Sequence, residues 1–280
     1  MQNLKQIEKH RSQNGLLSII VPVLNNAAQL QRCIDSVVCQ SLKNIELIII
    51  DGGSADGTLA IIAQNKKSIA QSISANDTGV YAAFNKGVQL SRGEWIFFLG
   101  SDDVLQNQDV LLNVSRFIEV NWTGQKIVYG KVARMNKEGE VIEVRGEPWS
   151  SFREKPVSQW SFNHQGIFHH RSLFEEYGLF DESFEILGDH DLLLRELIDN
   201  DPLYLNDMLI TENGNAGISS LPSNVKQMYW ERKKIFSLHN ITNEYFISPA
   251  MVAKIAIFEL VRISCGLKFA NKLYRRIKKT

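Results

Sequence analysis

Three short runs of β-branched and large apolar residues, each followed by a polar cluster, constrain this chain more than any other feature. The runs cover residues 17–24, 45–50 and 94–99, with a weaker one at 68–74. Helical apolar patterns at 27–40, 57–64 and 80–90 lie between them. Strands that alternate with helices form parallel sheets covered by helices. The sequence therefore predicts an α/β fold with a mostly parallel sheet flanked by helices.

The polar clusters occupy the positions where the predicted strands end. They are Asn25-Asn26, the segment 51–57 (DGGSADG), and Ser101-Asp102-Asp103. In open parallel sheets, ligands bind beyond the carboxyl ends of the strands. We expect these distant segments to meet at one ligand-binding edge.

The acids among them indicate a metal-held diphosphate. Asp102 and Asp103 are adjacent, so their charges repel unless a cation lies close by. Mg²⁺ and Mn²⁺ take oxygen ligands, usually one or two carboxylates together with substrate phosphates. Two alternatives remain open: Asp102-Asp103 as a plain turn or as a helix N-cap before Leu111, and Asp51 as the first residue of an Asx-turn.

The glycines of segment 51–57 do not form a known phosphate loop. Their spacing matches neither the P-loop nor the dinucleotide GxGxxG pattern. Our interpretation is that they let a base or a ribose approach the backbone closely.

The second half of the chain has a different pattern. A hairpin is predicted at 126–135 and 140–144, a strand at 162–169, a short helix from Ser172 and an amphipathic helix at 187–198. No low-complexity linker interrupts it. We expect a polar N-terminal extension (1–15), one domain (16–221) and a helical C-terminal tail (222–280).

Composition excludes several classes of protein. Hydrophobic residues make up 44% of the chain and charged residues 22%, which argues against disorder. The formal net charge is zero, so no nucleic-acid partner is expected. Because the N-terminus has no apolar signal-peptide core and no run of about 18 uncharged apolar residues occurs, we expect a cytoplasmic protein. The three cysteines lack metal-type spacing and are interpreted as reduced thiols.

The C-terminal tail combines basic and apolar residues. Its basic residues are Lys254, Arg262, Lys268, Lys272, Arg275, Arg276, Lys278 and Lys279. Such a composition is typical of an amphipathic helix on an anionic membrane, which would suit a peripheral protein with a lipid-linked acceptor. The alternative is a solvated terminal helix packed on the domain.

Four histidines fall within a short span, at 164, 169, 170 and 190. Catalytic zinc needs three converging ligands. Since His169 and His170 would point to opposite faces of a strand, a zinc site is not expected. His164 and Gln165 are candidates for contact with the diphosphate or the metal on the acceptor side. For His190 a structural or acceptor role is favoured over metal ligation.

Serial motifs in the chain resemble those of a known family. The segments SIIVPVLNN, IELIIIDGGSADGT and NDTGVYAAFNKGVQLSRGEWIFFLGSDD, across about residues 17 to 104, are similar to the inverting family-2 glycosyltransferases, which have the GT-A fold. The segments HQGIFHHRSLFEEYGLFDESFEILGDHDLLLRE and AGISS resemble members that build surface polysaccharides. Together these segments cover about two thirds of the chain.

This resemblance implies a transfer of sugar from a nucleoside diphosphate, most simply a UDP-sugar, to a glycan or lipid-linked acceptor. It places Asp51 on the nucleotide base, Asp102 on the ribose or the metal, Asp103 on the metal, and Asp189 as the general base. Asp191 is the rival of Asp189 on the same turn, and an alternative role for Asp189 is helix N-cap. The remaining candidates for donor binding are Pro22, Asn25, Asp77, Lys86 and Ser101.

Four positions depart from the usual family pattern. An aromatic residue is common at the position of Leu24, a second acid at Gly52, the first acid of Asp-x-Asp at Gly100, and a Glu at Gly188. Two other readings stay open. One is a nucleotidyltransferase, although Arg32 is not accompanied by a glycine-rich loop, and the other is a non-catalytic peripheral-membrane partner that retains the fold.

Overall fold

The computed structural model describes residues 16–136, 138–157, 160, 162–213, 222–241, 261 and 264. The predicted extension 1–15, the AGISS segment and all the basic residues named for the tail lie outside these residues. Within the described part of the chain, no helix is long and apolar enough to cross a membrane.

Nine strands form one sheet in the order β3-β2-β1-β4-β8-β6-β9-β5, and β7 pairs with β6. The strands are β1 Leu17–Val23, β2 Ile45–Asp51, β3 Gln71–Ser74, β4 Trp95–Phe98, β5 Val104–Leu105, β6 Ile127–Met135, β7 Val141–Arg145, β8 Ile167–His170 and β9 Leu203–Asn213. The predicted strands of the first half and the predicted hairpin are confirmed to within a few residues.

The sheet is mixed, with the predicted parallel strands in its first half and antiparallel pairs in its second half. Parallel pairing joins β1 to β2, β1 to β4, β2 to β3, and β6 to β9. Pairing is antiparallel for β4 with β8, β5 with β9, β6 with β7, and β6 with β8. The first half therefore follows the predicted strand–helix alternation, whereas the second half adds antiparallel strands to the same sheet.

Two features of the second half differ from the sequence-based prediction. Strand β9 was not predicted, because Asn206 and Asp207 have positive φ angles (45° and 65°) and interrupt its two-residue alternation. The strand predicted at 162–169 begins later, since residues His164–Gly166 form a 3₁₀ turn before β8.

Seven helices cover the sheet within the described residues. They are α1 Ala27–Val38, α2 Thr58–Gln64, α3 Val80–Leu90, α4 Val110–Asn121, α5 Arg171–Tyr177, α6 Gly188–Leu197 and α7 Val225–Leu238. Helices α1, α2 and α4 pack on one face of the sheet and α3, α5, α6 and α7 on the other. Successive residues of β1, such as Ile19 and Ile20, enter opposite clusters, so the strand is buried on both faces and reads as a continuous apolar run.

Helix α7 lies inside the segment predicted as a tail, yet it packs on the sheet domain. Its residues Ile235 and Phe236 are buried in the same cluster as α3 and α6. The described part of the C-terminal segment therefore shares the core of the domain, and the predicted boundary near residue 221 does not separate two cores.

Candidate active site

The carboxyl ends of the first four strands meet at one edge of the sheet. Val23 is aligned with Asp51, and Asp51 with Ser74. Across this edge, the Asn26 side-chain amide donates a hydrogen bond to the Ser101 hydroxyl at 2.9 Å. The structure thus brings the three predicted polar clusters together.

The carboxylate of Asp51 stabilises the turn that begins at this residue. Its carboxylate accepts hydrogen bonds from the Ser74 hydroxyl (2.6 Å) and from the backbone N–H groups of Gly53 and Ser54 (both 3.1 Å), and the residue is 0% exposed. Burial raises the pKa of Asp51, but these bonds outweigh it and hold the pKa below the usual value. Asp51 therefore opens an Asx-turn, as the alternative interpretation predicted, and its contact with the nucleotide base stays a prediction.

Asn25 and Pro22 shape the same edge. Asn25 has a φ of 49°, its N–H donates to the Ser54 hydroxyl at 2.7 Å, and its side-chain oxygen accepts from Ala55 N–H at 2.8 Å. Pro22 lies in β1 beyond the last residue that pairs with β4, Ile20, so its missing N–H costs no bond to that strand. In this structure Asn25 braces the loop following β2, whereas Pro22 pairs with Ile50 inside the sheet.

Asp77 and Lys86 form an ion pair beside Gly52. The second carboxylate oxygen of Asp77, Oδ2, is shielded from solvent and has no hydrogen-bond partner among the residues that the structure describes. A Cβ atom built on Gly52 would lie 3.7 Å from this oxygen and 3.5 Å from the Leu24 side chain. A shielded acceptor without a donor marks a place where a ligand donor would be accommodated.

Asp102 and Asp103 lie in a turn between β4 and β5. Asp103 N–H donates to the Gly100 carbonyl at 3.0 Å, and the next helix, α4, has Asp109 as its N-cap. The pair therefore lies in a turn and does not cap α4, and its role at a metal stays a prediction. Asp103 is only 3% exposed.

Gly100 allows the two carboxylates to approach each other. A Cβ atom at this position would lie 2.4 Å from Asp103 Oδ2 and 3.1 Å from Asp102 Oδ1, so an oxygen of each acid lies beside the same backbone atom. Among the described residues, no group of three or more His, Cys, Asp or Glu side chains could hold a metal ion. The pair suits Mg²⁺ or Mn²⁺, whose other ligands would be phosphate and water oxygens.

Cys33 lies next to this pair but is not a ligand. Its thiol contacts the Gly100 carbonyl at 3.4 Å. Burial raises the pKa of Cys33 far above its ordinary value, and the charges of Asp103 and Asp102 raise it further. The thiol therefore stays protonated, whereas metal ligation requires a thiolate.

Asp189 stands in the first turn of α6 and does not cap the helix. The N-cap position is Leu187, and it makes no side-chain cap. The Tyr81 hydroxyl lies 3.2 Å from Asp189 Oδ1 and 2.7 Å from the Ile186 carbonyl. Burial first, and then the charge of Asp189, raise the pKa of Tyr81 far above its ordinary value, so Tyr81 remains a donor.

Gly188 makes the contact between Tyr81 and Asp189 possible. A Cβ atom there would lie 2.9 to 3.0 Å from three carbon atoms of the Tyr81 ring. The departure from the family pattern at this position thus has a structural reason: the tyrosine ring occupies the space of a larger side chain. Sequence reasoning did not single out Tyr81, which looks like any other buried aromatic residue of a helix.

The carboxylate of Asp191, the alternative candidate for the base, is already bound by other side chains. It is 3% exposed, receives a hydrogen bond from Arg195 Nε at 3.2 Å, and lies 2.9 Å from His239 Nε2. Burial raises the pKa of Asp191, but hydrogen bonds from His239 and Arg195 outweigh it and lower the pKa. Asp191 therefore ties α6 to α7 and is not available to a substrate proton.

His164 is half-buried between aromatic rings near Asp189. It stacks on Phe84 and Phe98 with centroid distances of 5.0 and 5.1 Å, and its two ring nitrogens are shielded from solvent and have no hydrogen-bond partner within the described part of the chain. Burial lowers the pKa of His164, and Asp189 only partly opposes this effect. The ring is therefore neutral at pH 7. Gln165 contributes its backbone carbonyl to the Thr211 hydroxyl at 2.9 Å.

The other histidines point apart, as predicted. His169 contacts Phe98, whereas His170 contacts Trp95 and Trp122. His190 lines a small apolar cleft between α6 and α7. The cleft is lined mainly by apolar side chains, together with Arg232.

Comparisons with known proteins agree with this architecture. The family model for Glycosyl transferase family 2 matches residues 18–177. A PGL/p-HBAD biosynthesis glycosyltransferase of Mycobacterium bovis is 41% identical over 120 residues, covering 42% of this chain and 46% of the relative. The hyaluronan synthase of Pasteurella multocida is 30% identical over 190 residues, covering 67% of this chain and 19% of the relative. The chain thus spans about half the length of the first of these relatives and less of the second.

Solved structures share the fold at low sequence identity. S. aureus TarS 1–349 in complex with UDP-GlcNAc superposes with a TM-score of 0.61 at 18% identity, covering 84% of this chain and 69% of that one. The mannosyltransferase PcManGT from Pyrobaculum calidifontis, in complex with GDP-Man and Mn²⁺, gives 0.61 at 15% identity, covering 96% and 81%. These likenesses bear on the fold alone. Since the family match extends over more than half of the residues, the chain belongs to glycosyl transferase family 2 and has the GT-A fold.

Proposed function

We propose that the protein is an inverting glycosyltransferase of polysaccharide biosynthesis. The observation that carries the proposal is the state of Asp189, a carboxylate that neither caps its helix nor forms an ion pair in the described structure. Its neighbour Tyr81 begins α3, which follows β3 at the carboxyl edge of the sheet. Asp189 therefore belongs to the same edge as Asp102 and Asp103.

In the proposed reaction, Asp189 takes the proton of an acceptor hydroxyl while the hydroxyl oxygen attacks the anomeric carbon of the donor. The new C–O bond forms on the face opposite the diphosphate, the bond from the anomeric carbon to the phosphate oxygen breaks, and the configuration inverts. A positioned carboxylate base contributes about 10²- to 10⁴-fold in rate. The Tyr81 hydroxyl, whose one proton is shared between the Ile186 carbonyl and Asp189 Oδ1, orients the carboxylate, and the His164 ring in its neutral form adds no positive charge beside it.

The metal site is proposed at Asp102 and Asp103, with Mn²⁺ or Mg²⁺ as the ion. A divalent ion held there would neutralise charge on the departing diphosphate. Ser101, fixed by Asn26, and the loop braced by Asn25 would form the adjacent wall of the donor site.

For the base we propose Asp77 as the acceptor of a uracil ring N–H. Asp51 Oδ2 accepts hydrogen bonds from Gly53, Ser54 and Ser74, whereas Asp77 Oδ2 has no donor among the described residues, and Lys86 holds the other oxygen of Asp77. An imide N–H is present in uracil and absent from cytosine, so a carboxylate at this place favours a UDP-sugar. Asp51 would then hold segment 52–54 in the conformation that lies against the base, without binding the base itself.

On the acceptor side, we place His190 and the apolar cleft next to Asp189, with His164 and Gln165 between the acceptor and the diphosphate. An apolar cleft beside the base suits a lipid-linked or glycan hydroxyl. The basic C-terminal residues would hold the protein on an anionic membrane surface, which implies a cytoplasmic, peripheral location.

A donor panel tests the function. The purified protein is incubated with Mn²⁺, a set of UDP-, GDP- and CDP-sugars, and glycan or lipid-linked acceptors, and the released nucleotide is identified. Release of UDP, with NMR showing an inverted anomeric configuration in the product, is expected. Release of pyrophosphate would instead identify a nucleotidyltransferase, and no release under any condition would reject an enzymatic role.

A further inference from the structure

We propose that Glu231 of helix α7 is a positioning residue for the transfer reaction, acting through the loop that carries Asp189. This inference rests on the proposed function. Glu231 stands 42 positions after Asp189 in the sequence, in the segment predicted to be a tail.

The carboxylate of Glu231 binds three consecutive backbone N–H groups. Glu185 N–H donates to Oε1 at 2.7 Å, and Ile186 and Leu187 N–H donate to Oε2 at 3.0 and 2.8 Å. Gln227, one turn earlier on α7, donates to Oε1 at 3.0 Å. Glu231 is 4% exposed, so these charge-assisted bonds form away from water and are strong.

The bound loop leads directly to the proposed base. Leu187 is the N-cap of α6, and Asp189 follows two residues later. Tyr81 of α3 binds the same loop, because its hydroxyl donates to the Ile186 carbonyl at 2.7 Å. The Ile186 residue is thus held through its N–H by α7 and through its carbonyl by α3, which fixes the start of α6 between them.

A local cap would stabilise α6 equally well without involving α7. Most helices obtain this bond from a Ser, Thr, Asp or Asn at the N-cap, whereas here the cap residue is a leucine and the acid comes from a distant helix. A second contact between α6 and α7 is the hydrogen bond of His239 with Asp191 at 2.9 Å. The geometry of the base therefore depends on α7, and the catalytic unit extends beyond residue 221.

The first experiment compares two buried carboxylates. In Glu231→Gln an amide NH₂ would face backbone N–H groups, so the loop shifts. Because displacements of about 1 Å can cost about 100-fold in rate, we expect kcat to fall by about 10- to 100-fold, while the calorimetric Kd for UDP with Mn²⁺ stays within twofold. The control is Glu196→Gln, which is also 4% exposed but lies at the other end of α6 and pairs with Lys126 at 2.9 Å. It should lower the melting temperature without changing kcat by more than about twofold.

A double variant separates positioning from general stability. If Glu231 acts through Asp189, then Glu231→Gln added to Asp189→Asn reduces kcat no further than Asp189→Asn alone. Hydrogen exchange at the amides of residues 185–187 should also accelerate in Glu231→Gln. Glu231→Asp keeps the charge on a shorter side chain and serves as the second variant; it should recover part of the lost kcat.

The outcomes distinguish this inference from the proposed function. A kcat of Glu231→Gln within twofold of the wild type, or a double variant whose losses multiply, would overturn the role of Glu231 and leave the function standing. If instead the wild type releases no nucleoside diphosphate, or Asp189→Asn retains full turnover, the proposed function or its base is wrong, and this inference falls with it.

Discussion

At the scale of single residues, Asp189 and Asp191 differ in role because their carboxylate oxygens have different partners. Asp189→Asn should lower kcat about a thousandfold, equal to about 4 kcal/mol of barrier, and leave unfolding nearly unchanged because no cap is lost. Asp191→Asn should instead cost about 3 kcal/mol of stability, since it leaves Arg195 and His239 without their buried partner. Turnover at saturating substrate and urea unfolding measure the two effects. Near-normal turnover by Asp189→Asn would exclude it as the base.

The metal site makes a second prediction at this scale. Asp103→Ala should abolish Mn²⁺-dependent binding of the nucleotide, because one carboxylate cannot hold the ion against water as two do. Asp35→Ala, which removes an exposed carboxylate of α1, is the control. Calorimetry with UDP, with and without Mn²⁺, measures the change. Unchanged metal-dependent binding by Asp103→Ala would place the site elsewhere.

At the scale of elements, α3 and α6 pack closely because residue 188 is a glycine and has no Cβ atom. Gly188→Ala should lower the free energy of unfolding by about 1–3 kcal/mol and reduce kcat, because the Tyr81 ring must move away from Asp189. The ring cannot shift freely, since it stacks on Phe180 at 5.5 Å. In the double variant with Tyr81→Leu, part of the lost stability should return. Wild-type stability of Gly188→Ala in a urea titration would refute this account of the packing.

At the scale of the whole molecule, two histidines predict a dependence of stability on pH. Burial lowers the pKa of His164 and lowers that of His169 well below the ordinary value of 6.5. The unfolded chain therefore binds protons at a higher pH than the folded protein, so stability is complete above about pH 6.5 and falls below it, by up to about 1.4 kcal/mol per histidine and pH unit. Urea midpoints at about pH 7.5 and 5.5 measure this loss. His169→Phe should reduce the dependence, and an equal dependence in that variant would contradict the assignment.

The basic C-terminal segment makes a second prediction for the whole chain. The full protein should sediment with anionic vesicles but not with neutral ones, and added salt should weaken binding by screening the charges. A chain that ends before Ala250 should remain in the supernatant while keeping its helix α7. Equal sedimentation of both proteins would remove the membrane proposal.

The first half of the fold and the edge of the sheet that carries the candidate site could be predicted from the sequence alone. The apolar runs of β1, β2 and β4 are local and buried on both faces, and turn residues mark their ends, so the edge that carries Asp51, Asp102 and Asp103 follows from chain order and the parallel pairing rule. The positions of Asp189 and Asp103 followed from the family resemblance.

Which carboxylates keep an oxygen without a donor could not be predicted in this way, because it depends on contacts across the fold. Whether an acid keeps an unused oxygen depends on donors from distant segments: Ser74 for Asp51, His239 for Asp191, and the loop at 185–187 for Glu231. None of these partners has a local signature, because a hydrogen bond across the fold leaves no periodicity in the sequence. Strand β9 was not predicted for a related reason. Its alternation of apolar and polar residues is interrupted at the bulge, and pairing with the distant strand β6 stabilises it.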